Sequence, residues 1–278
     1  MNTQLPIGVC GWCIDRHDVR RSLEAAGREL CLRHVQIGFF TEQAVRAADP
    51  VAIREAARAA DVTIVGAFVA FEAEDYSSIA RIAETGGFMP DDQFESRRAL
   101  MSAVADIAAS VGCPSVSVHA STVPTDEASP PYRKLAERVR EVTDDAASRG
   151  LQLLLETGRE PADVLLRFID AVDRPNVGIN FDPGNFVVYG TDEPVTVATR
   201  LKGRIGLVHL KDAARSARPG VDYGRPAPLG TGDVQIARVI SKLRATGYRG
   251  PLLIECDTRE TGLDAICSAV DYLRTMLG

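Results

Sequence analysis

Four side chains of the kinds that bind divalent cations follow four short apolar runs in the second half of the chain. They are Glu156, Asp182, His209 and Glu255. Each run has the length of a buried strand and is followed by a polar or glycine-containing loop. If the strands are parallel neighbours, their carboxyl ends bring three carboxylates and one imidazole together. The spacing therefore predicts a metal site at the mouth of a parallel barrel.

This donor set indicates one divalent metal ion as the cofactor. Carboxylate oxygens and an imidazole nitrogen suit Mn²⁺, Mg²⁺, Co²⁺ or Zn²⁺, and four protein ligands leave a six-coordinate ion room for a substrate. Any one of the acids could instead cap a helix or pair with a Lys or Arg. The occurrence of all four residues at successive strand ends favours the metal site.

The elements that must position these ligands are eight short apolar runs, which alternate with segments of helical periodicity. The runs span residues 6–10, 35–39, 62–69, 115–119, 151–156, 177–182, 205–209 and 252–255, and the helical segments span 18–30, 50–60, 96–111, 131–148, 161–172, 194–201, 233–246 and 263–277. Alternation of this kind favours parallel strands joined by right-handed crossovers. Eight units predict an α/β fold, a single (β/α)8 TIM barrel domain over residues 1–278.

Composition narrows the function classes. The chain has 278 residues, a net charge of −6 and 45% hydrophobic residues. Its basic residues are scattered rather than gathered into a stripe, so we expect no nucleic-acid partner. We find no apolar run of about 18 residues and no signal-peptide pattern, so we expect no membrane association and a cytoplasmic location.

Several further residues are candidates for contacting a substrate at the barrel mouth. Strand alternation directs His209 and Lys211 to the same side, where Lys211 could neutralise a carboxylate or hold an anion. His119 ends the fourth run, Trp12 follows the first, and Arg215 lies in the long connection at 213–232. Each also has a structural interpretation, as a surface or packing residue. We predict a small-molecule substrate contacted by some of them.

Two short motifs allow more than one interpretation. The turn Gly230-Thr231-Gly232-Asp233 precedes a helical segment and could hold a phosphate, but a simple turn with Asp233 as N-cap is favoured. Cys10 and Cys13 form a CxxC without the second pair that a structural zinc site needs. The favoured interpretation places these cysteines near the barrel mouth without a redox or metal role.

Five segments of the chain resemble a known family. LLLETG, VGINFDPGNF, VHLKDA, PLGTGDV and PLLIECD are similar to the xylose-isomerase-like TIM barrels, specifically the sugar phosphate isomerase/epimerase group. The resemblance covers nearly the whole chain. It implies that Glu156, Asp182, His209 and Glu255 bind the metal. It also implies that the two glutamates are the catalytic acid/base pair, as in the ketose 3-epimerases.

One position departs from that family. Many members carry a His three residues after the metal Asp, where this chain has Asn185, which can donate hydrogen bonds to a substrate but cannot carry a catalytic proton. Arg215 matches a substrate-binding Arg of the epimerases. Their usual Glu on the second strand is not evident here, and Gln36 occupies that region.

These residues predict a manganese- or similar metal-dependent isomerase or epimerase of a ketose or keto-sugar, phosphorylated or not. A glutamate would remove the proton next to the carbonyl, and the metal would stabilise the enediolate. A lyase or dehydratase acting on a keto-inositol or 3-keto-sugar could use the same site. An endonuclease-type phosphodiesterase or a non-catalytic sugar-binding barrel fits less well. We expect a homo-oligomer, a dimer or tetramer, as is common among such barrels.

Overall fold

Eight parallel strands close a barrel in the computed structural model, which describes residues 5–256 and 263–277. The strands are β1 (Ile7–Cys10), β2 (His34–Phe39), β3 (Thr63–Val69), β4 (Ser115–Val118), β5 (Gln152–Glu156), β6 (Val177–Phe181), β7 (Ile205–Leu210), the hairpin pair β8 (Asp212–Ala214) and β9 (Arg225–Ala227), and β10 (Leu252–Ile254). Around the barrel the order is β1-β10-β7-β6-β5-β4-β3-β2, and β8–β9 stand apart as an antiparallel ribbon. The predicted (β/α)8 barrel is confirmed.

Helices surround the barrel. They are α1 (Val19–Arg28), α2 (Glu42–Ala47), α3 (Pro50–Ala59), α4 (Ile79–Thr85), α5 (Phe94–Ser110), α6 (Pro130–Ala147), α7 (Ala162–Val172), α8 (Pro183–Tyr189), α9 (Pro194–Arg200), α10 (Ile236–Ala245) and α11 (Asp264–Leu277). The eight predicted helical segments are present with shifted ends. The sequence pattern did not predict α2, α4 and α8, because six or seven residues are too few to show helical periodicity.

Side-chain caps determine where several helices begin. The Asp18 carboxylate accepts hydrogen bonds from two N–H groups in the first turn of α1, and Asp49 does the same for α3. The Ser129 hydroxyl caps α6, and proline follows the cap in both α3 and α6. Such caps satisfy N–H groups that have no partner within the helix.

The barrel interior alternates large and small side chains. A Cβ at Gly66 would lie only 2.7 Å from Cδ1 of Leu207, and a Cβ at Gly206 would lie 2.7 Å from Cδ2 of Leu154. These leucines therefore fill space that the glycines leave open. Further along β5 and β7 toward the carboxyl ends, the same faces carry Glu156 and His209, so the apolar interior gives way to a polar layer.

Helix α10 corrects one prediction. It begins at Ile236, after Gln235 in the left-handed region at φ 61°, so Asp233 is not its N-cap. The Asp233 carboxylate instead accepts a hydrogen bond from the backbone N–H of Arg215 at 2.8 Å. Asp257, the last residue of the PLLIECD motif, lies outside the described residues. Among the helices of the described chain, none has the length and hydropathy to cross a membrane.

Candidate metal centre

The four predicted ligands converge at the carboxyl ends of the strands. Glu156 is the last residue of β5, Asp182 follows β6, His209 lies near the end of β7, and Glu255 follows β10. One ligand atom from each lies within 4.8 Å of all the others. Donors that share an octahedral ion at about 2.1 Å are separated by roughly 3 to 4 Å. The arrangement therefore fits one divalent ion with modest adjustment.

Asp182 combines a structural role with a place in this centre. Its Oδ1 caps α8, accepting hydrogen bonds from the backbone N–H groups of Gly184 and Asn185 at 2.8 and 3.2 Å. Its Oδ2 accepts a hydrogen bond from Nζ of Lys211 at 2.8 Å. Helix capping thus fixes the carboxylate and leaves its second oxygen directed at the centre.

His209 is fully buried, and Gln36 contacts its ring on the nitrogen that faces away from Glu255. Its Nε2 lies 2.5 Å from Oε1 of Gln36, while Nε2 of Gln36 donates to Oγ of Ser117 at 3.1 Å. Nδ1 faces the acids, 3.1 Å from Oε2 of Glu255. A proton on Nε2 would leave the Nδ1 lone pair for a metal, because metal-binding histidines are oriented through their other nitrogen. Gln36 thus orients the His209 ring without belonging to the group of possible metal ligands.

Glu255 and Lys211 form the polar opening of the centre. Nζ of Lys211 lies 3.2 Å from Oε2 of Glu255, and the same oxygen is buried without a hydrogen bond of regular geometry. Burial would lower the pKa of Lys211, but Asp182, Glu255 and Glu156 outweigh burial and raise the pKa. Two nitrogen atoms, Nδ1 of His209 and Nζ of Lys211, thus lie within 3.2 Å of a carboxylate that belongs to the group of possible metal ligands.

Glu156 has a network of neutral partners. Nδ2 of Asn185 donates to Oε1 at 3.2 Å, and Nδ2 of Asn180 donates to Oε2 at 3.4 Å. Nε2 of His119 lies 3.4 Å from Oε1. Burial, supported by Arg159 and Lys211, lowers the pKa of His119 to about 3, although nearby glutamates oppose the shift. His119 is therefore neutral near pH 7 and suited to hydrogen bonding.

Of two other residues predicted to contact a substrate, Trp12 lies beside the centre, whereas Arg215 pairs with an acid outside the four predicted ligands. Trp12 lies in a single 3₁₀ turn after β1, with its ring centroid 5.6 Å from that of His209 and 5.1 Å from that of Phe68. It thus forms an aromatic wall beside the centre. Nη2 of Arg215 bonds Oε1 of Glu193 at 2.7 Å, so the structure places this guanidinium on an acid outside the ligand set.

The glycine turn at 230–232 binds a carboxylate of the protein, that of Asp212. The Asp212 carboxylate accepts hydrogen bonds from the backbone N–H groups of Gly230, Gly232 and Val234 at 2.9, 3.0 and 3.2 Å. A Cβ at Gly232 would come within 2.3 Å of Oδ1 of Asp212, so only glycine permits this approach. Since the N–H of Thr231 donates to the carbonyl of Pro228, the turn has no N–H groups left for a phosphate.

The two cysteines of the CxxC motif are buried beside the centre. Cys10 belongs to a second group of possible ligands with His209 and Glu255, again within 4.8 Å. Burial raises the pKa of Cys10 to about 12, which keeps its thiol protonated near pH 7. Sγ of Cys13 accepts a hydrogen bond from the backbone N–H of Cys256 at 3.3 Å.

Comparison with known proteins identifies the family. A model of the family described as xylose isomerase-like TIM barrels matches residues 21–276. The chain belongs to this family. A comparison of this family member with curated proteins gives no match.

Solved structures agree with this assignment. A xylose isomerase domain protein from Planctomyces limnophilus is 33% identical, with a TM-score of 0.86 over 99% of this chain and 98% of that chain. A xylose isomerase-like TIM barrel protein from Mycobacterium smegmatis, in complex with magnesium, is 22% identical, with a TM-score of 0.71 over 98% and 96% of the two chains. D-allulose 3-epimerase from Methylomonas sp. is 17% identical, with a TM-score of 0.73 over 98% of each chain.

Proposed function

We propose that this protein is a divalent-metal-dependent sugar isomerase or epimerase acting on a ketose or keto-sugar. The observation that carries the proposal is the convergence of Glu156, Asp182, His209 and Glu255, which offer ligand atoms within 4.8 Å of one another. Family membership supports it, as do the fold similarities to a magnesium complex and to a D-allulose 3-epimerase.

The four converging residues would hold the cation. Bound there, a divalent cation supplies a Lewis acid for a substrate carbonyl and the adjacent hydroxyl. Oδ2 of Asp182 and Oε2 of Glu255 both lie near Nζ of Lys211, at 2.8 and 3.2 Å, and both would be available as ligands of a cation. We assign the metal no identity beyond Mn²⁺, Mg²⁺, Co²⁺ or Zn²⁺, since their preferred donors overlap.

Glu156 and Glu255 would transfer the protons. They come from β5 and the end of β10, which are separated around the barrel by β6 and β7, so their carboxylates approach from different directions. One would remove the proton next to the carbonyl, and the other would return a proton to the opposite face for epimerisation. Asn185 and Lys211 would orient substrate oxygens, and His119 would donate or accept a hydrogen bond.

Hydrogen exchange tests the reaction. The protein is incubated with a panel of ketoses and keto-sugars in deuterated buffer containing Mn²⁺, and carbon-bound deuterium is followed by NMR. The proposal expects deuterium at the carbon next to the carbonyl without loss of a leaving group. Elimination would instead indicate the lyase or dehydratase alternative. Exchange no faster than in Mn²⁺ buffer without protein, across the panel, would reject both.

A further inference from the structure

Arg159 is a buried cation without an anionic partner. It follows Glu156 by three residues, in the loop after β5, and its side chain is nearly inaccessible at 5% relative exposure. Among the described residues, no carboxylate lies within ion-pair distance of it. Its Nε and Nη1 are buried without a hydrogen-bond acceptor. An arginine in this state is costly unless an anion compensates its charge.

The groups in direct contact with the guanidinium are uncharged, and Glu74 reaches it only through Tyr76, whose hydroxyl donates to Oε2 of Glu74 at 2.9 Å. Nη2 of Arg159 donates to the hydroxyl of Tyr76 at 2.8 Å, and its Cζ lies 5.4 Å from the ring centroid of Tyr76 and 5.9 Å from that of Tyr189. The neighbouring Glu160 turns elsewhere, since its Oε2 accepts from the backbone N–H of Val123. Aromatic faces favour a cation, but they do not satisfy N–H donors in its plane.

The charge lies beside the candidate metal centre. Gly158, the residue before Arg159, packs against Asn185, where a Cβ at Gly158 would lie only 2.1 Å from the Asn185 Cβ, and Nδ2 of Asn185 donates to Glu156. Tyr189 ends α8, the helix that begins directly after Asp182. Arg159 thus shares one end of the barrel with the proposed catalytic groups.

Three other groups with the charge or donors to hold an anion have partners within the protein. Lys211 bonds Asp182, Arg215 bonds Glu193, and the glycine turn at 230–232 surrounds Asp212. Arg159 differs from all of them in having unused donors. Its planar guanidinium can bond two oxygens of one carboxylate or phosphate at once.

We propose that Arg159, with Tyr76 and Tyr189, forms a subsite for an anionic group of the substrate, a carboxylate or a phosphate. The proposed function then applies to an acidic or phosphorylated sugar, with the carbonyl end at the metal centre and the anion at Arg159. This inference rests on the proposed function only for the identity of the rest of the ligand.

Binding of small anions tests the subsite without a sugar or a metal. Inorganic phosphate and glycolate are titrated into the protein by calorimetry with EDTA present, so that no divalent cation can hold the anion. We expect saturable binding of at least one anion, and the tighter one distinguishes phosphate from carboxylate. In Arg159→Gln, the Kd should rise at least tenfold. Absence of saturable binding to the wild type, or an unchanged Kd in the variant, overturns the proposal.

Arg138 provides the matched control. Its guanidinium also lies against an aromatic ring, 4.5 Å from the centroid of Phe94, and donates to the carbonyls of Phe88 and Met89 in the segment between α4 and α5. Unlike Arg159, it pairs with a carboxylate, that of Asp91. Arg138→Gln should therefore leave the anion Kd within twofold of wild type. A tenfold rise there would assign the effect to the segment between α4 and α5 and overturn the subsite.

A second variant separates binding from structural support. Arg159→Met keeps the length of the side chain and removes the buried charge. If Arg159 serves to bind an anion, its buried charge is uncompensated in the ligand-free protein. Removing that charge should then leave the thermal unfolding midpoint without ligand unchanged or raise it. A clear fall in the midpoint would mean that Arg159 only supports the fold. Because these readouts require no turnover, failure of the hydrogen-exchange experiment leaves them interpretable, and the reverse also holds.

Discussion

Glu156 and Glu255 carry the largest functional prediction for individual residues. Changing both to Gln removes two acid/base groups and two anionic ligands at nearly constant volume. We expect the variant to fold, as judged by circular dichroism, and turnover in the exchange assay to fall by at least about 10³-fold. Activity near the wild-type level would reject both roles.

The control for this pair is a double Glu→Gln change on the helical surface. Glu95 and Glu141 are exposed and lie near Arg98, at 3.0 and 4.0 Å. Exposed ion pairs contribute at most about 1 kcal/mol. This variant should keep both its stability and its turnover close to those of the wild type.

Glu160 makes stability depend on pH. Burial raises its pKa from 4.5 to about 7, although Val123 and Arg159 oppose the shift. Since the folded state holds this proton more tightly than the unfolded state, stability is greatest below about pH 4.5 and falls as pH rises to 7. A shift of this size corresponds to at most about 3 kcal/mol.

Glu160→Gln should remove this contribution. We expect urea unfolding at pH 8 to show a more stable variant, with a smaller difference at pH 5. The exposed Glu127, which pairs with Arg167, supplies the control, and Glu127→Gln should show no such dependence on pH. Equal effects of Glu160→Gln at the two pH values would contradict the prediction.

The residues that could be predicted from the sequence were those with distinctive chemistry at strand ends. Glu156, Asp182, His209 and Glu255 follow apolar runs, and strand geometry then brings them together. The amide of Asn180 could not be predicted in the same way. It lies inside β6 among apolar residues, and its place beside Glu156 and His209 depends on the register between strands. Arg159 was missed because a loop arginine is ordinarily solvated.

At the scale of secondary structure elements, Asp212, two residues after β7, binds the part of the 213–232 connection that leads to α10. Its carboxylate accepts from three N–H groups of residues 230–234, so Asp212→Ala leaves the buried donor of Val234 and two part-buried donors without this partner. We expect a loss of about 3 kcal/mol in unfolding free energy, measured by urea denaturation. A loss below about 1 kcal/mol would show that the connection does not depend on Asp212.

Asp222 is the control for this change, since it is an exposed acid in the same connection. It pairs with Arg218 four residues earlier, at 2.7 Å. Asp222→Ala should cost under about 1 kcal/mol, as is usual for exposed pairs. A loss as large as that of Asp212→Ala would indicate general sensitivity of the connection.

The long elements could be predicted from the sequence, but the short ones that shape the mouth could not. Helices such as α5 and α6 show several turns of apolar spacing, whereas α4 and α8 have seven residues each. The first turn of α8 depends on Asp182, whose Oδ1 accepts from the backbone N–H of Gly184 while Oδ2 accepts from Lys211. The second contact depends on the packing of β7 beside β6, which the sequence pattern does not show. The prediction that α10 begins after Asp233 was wrong, because the Asp233 carboxylate accepts a hydrogen bond from the backbone N–H of Arg215 instead of capping the helix.

For the whole molecule, metal binding should couple to stability. The centre gathers three carboxylates in a buried place, and a cation that binds only the folded state stabilises it by about 2.7 kcal/mol at 100 times Kd. We expect Mn²⁺, Mg²⁺, Co²⁺ or Zn²⁺ to raise the thermal unfolding midpoint and EDTA to reverse the rise. The Glu156→Gln, Glu255→Gln double variant should lose the effect. A wild-type midpoint that no ion shifts would contradict the metal centre.

Trp12 gives the molecule an optical reporter that requires no label. It is the single tryptophan of the chain, and its ring lies 5.6 Å from His209. All indole emission therefore originates beside the candidate metal centre. Loading of the centre should alter the intensity or wavelength of this emission, so stopped-flow fluorescence can follow cation entry in real time. Unchanged emission at a cation concentration that shifts the unfolding midpoint would mean that the ion binds away from His209.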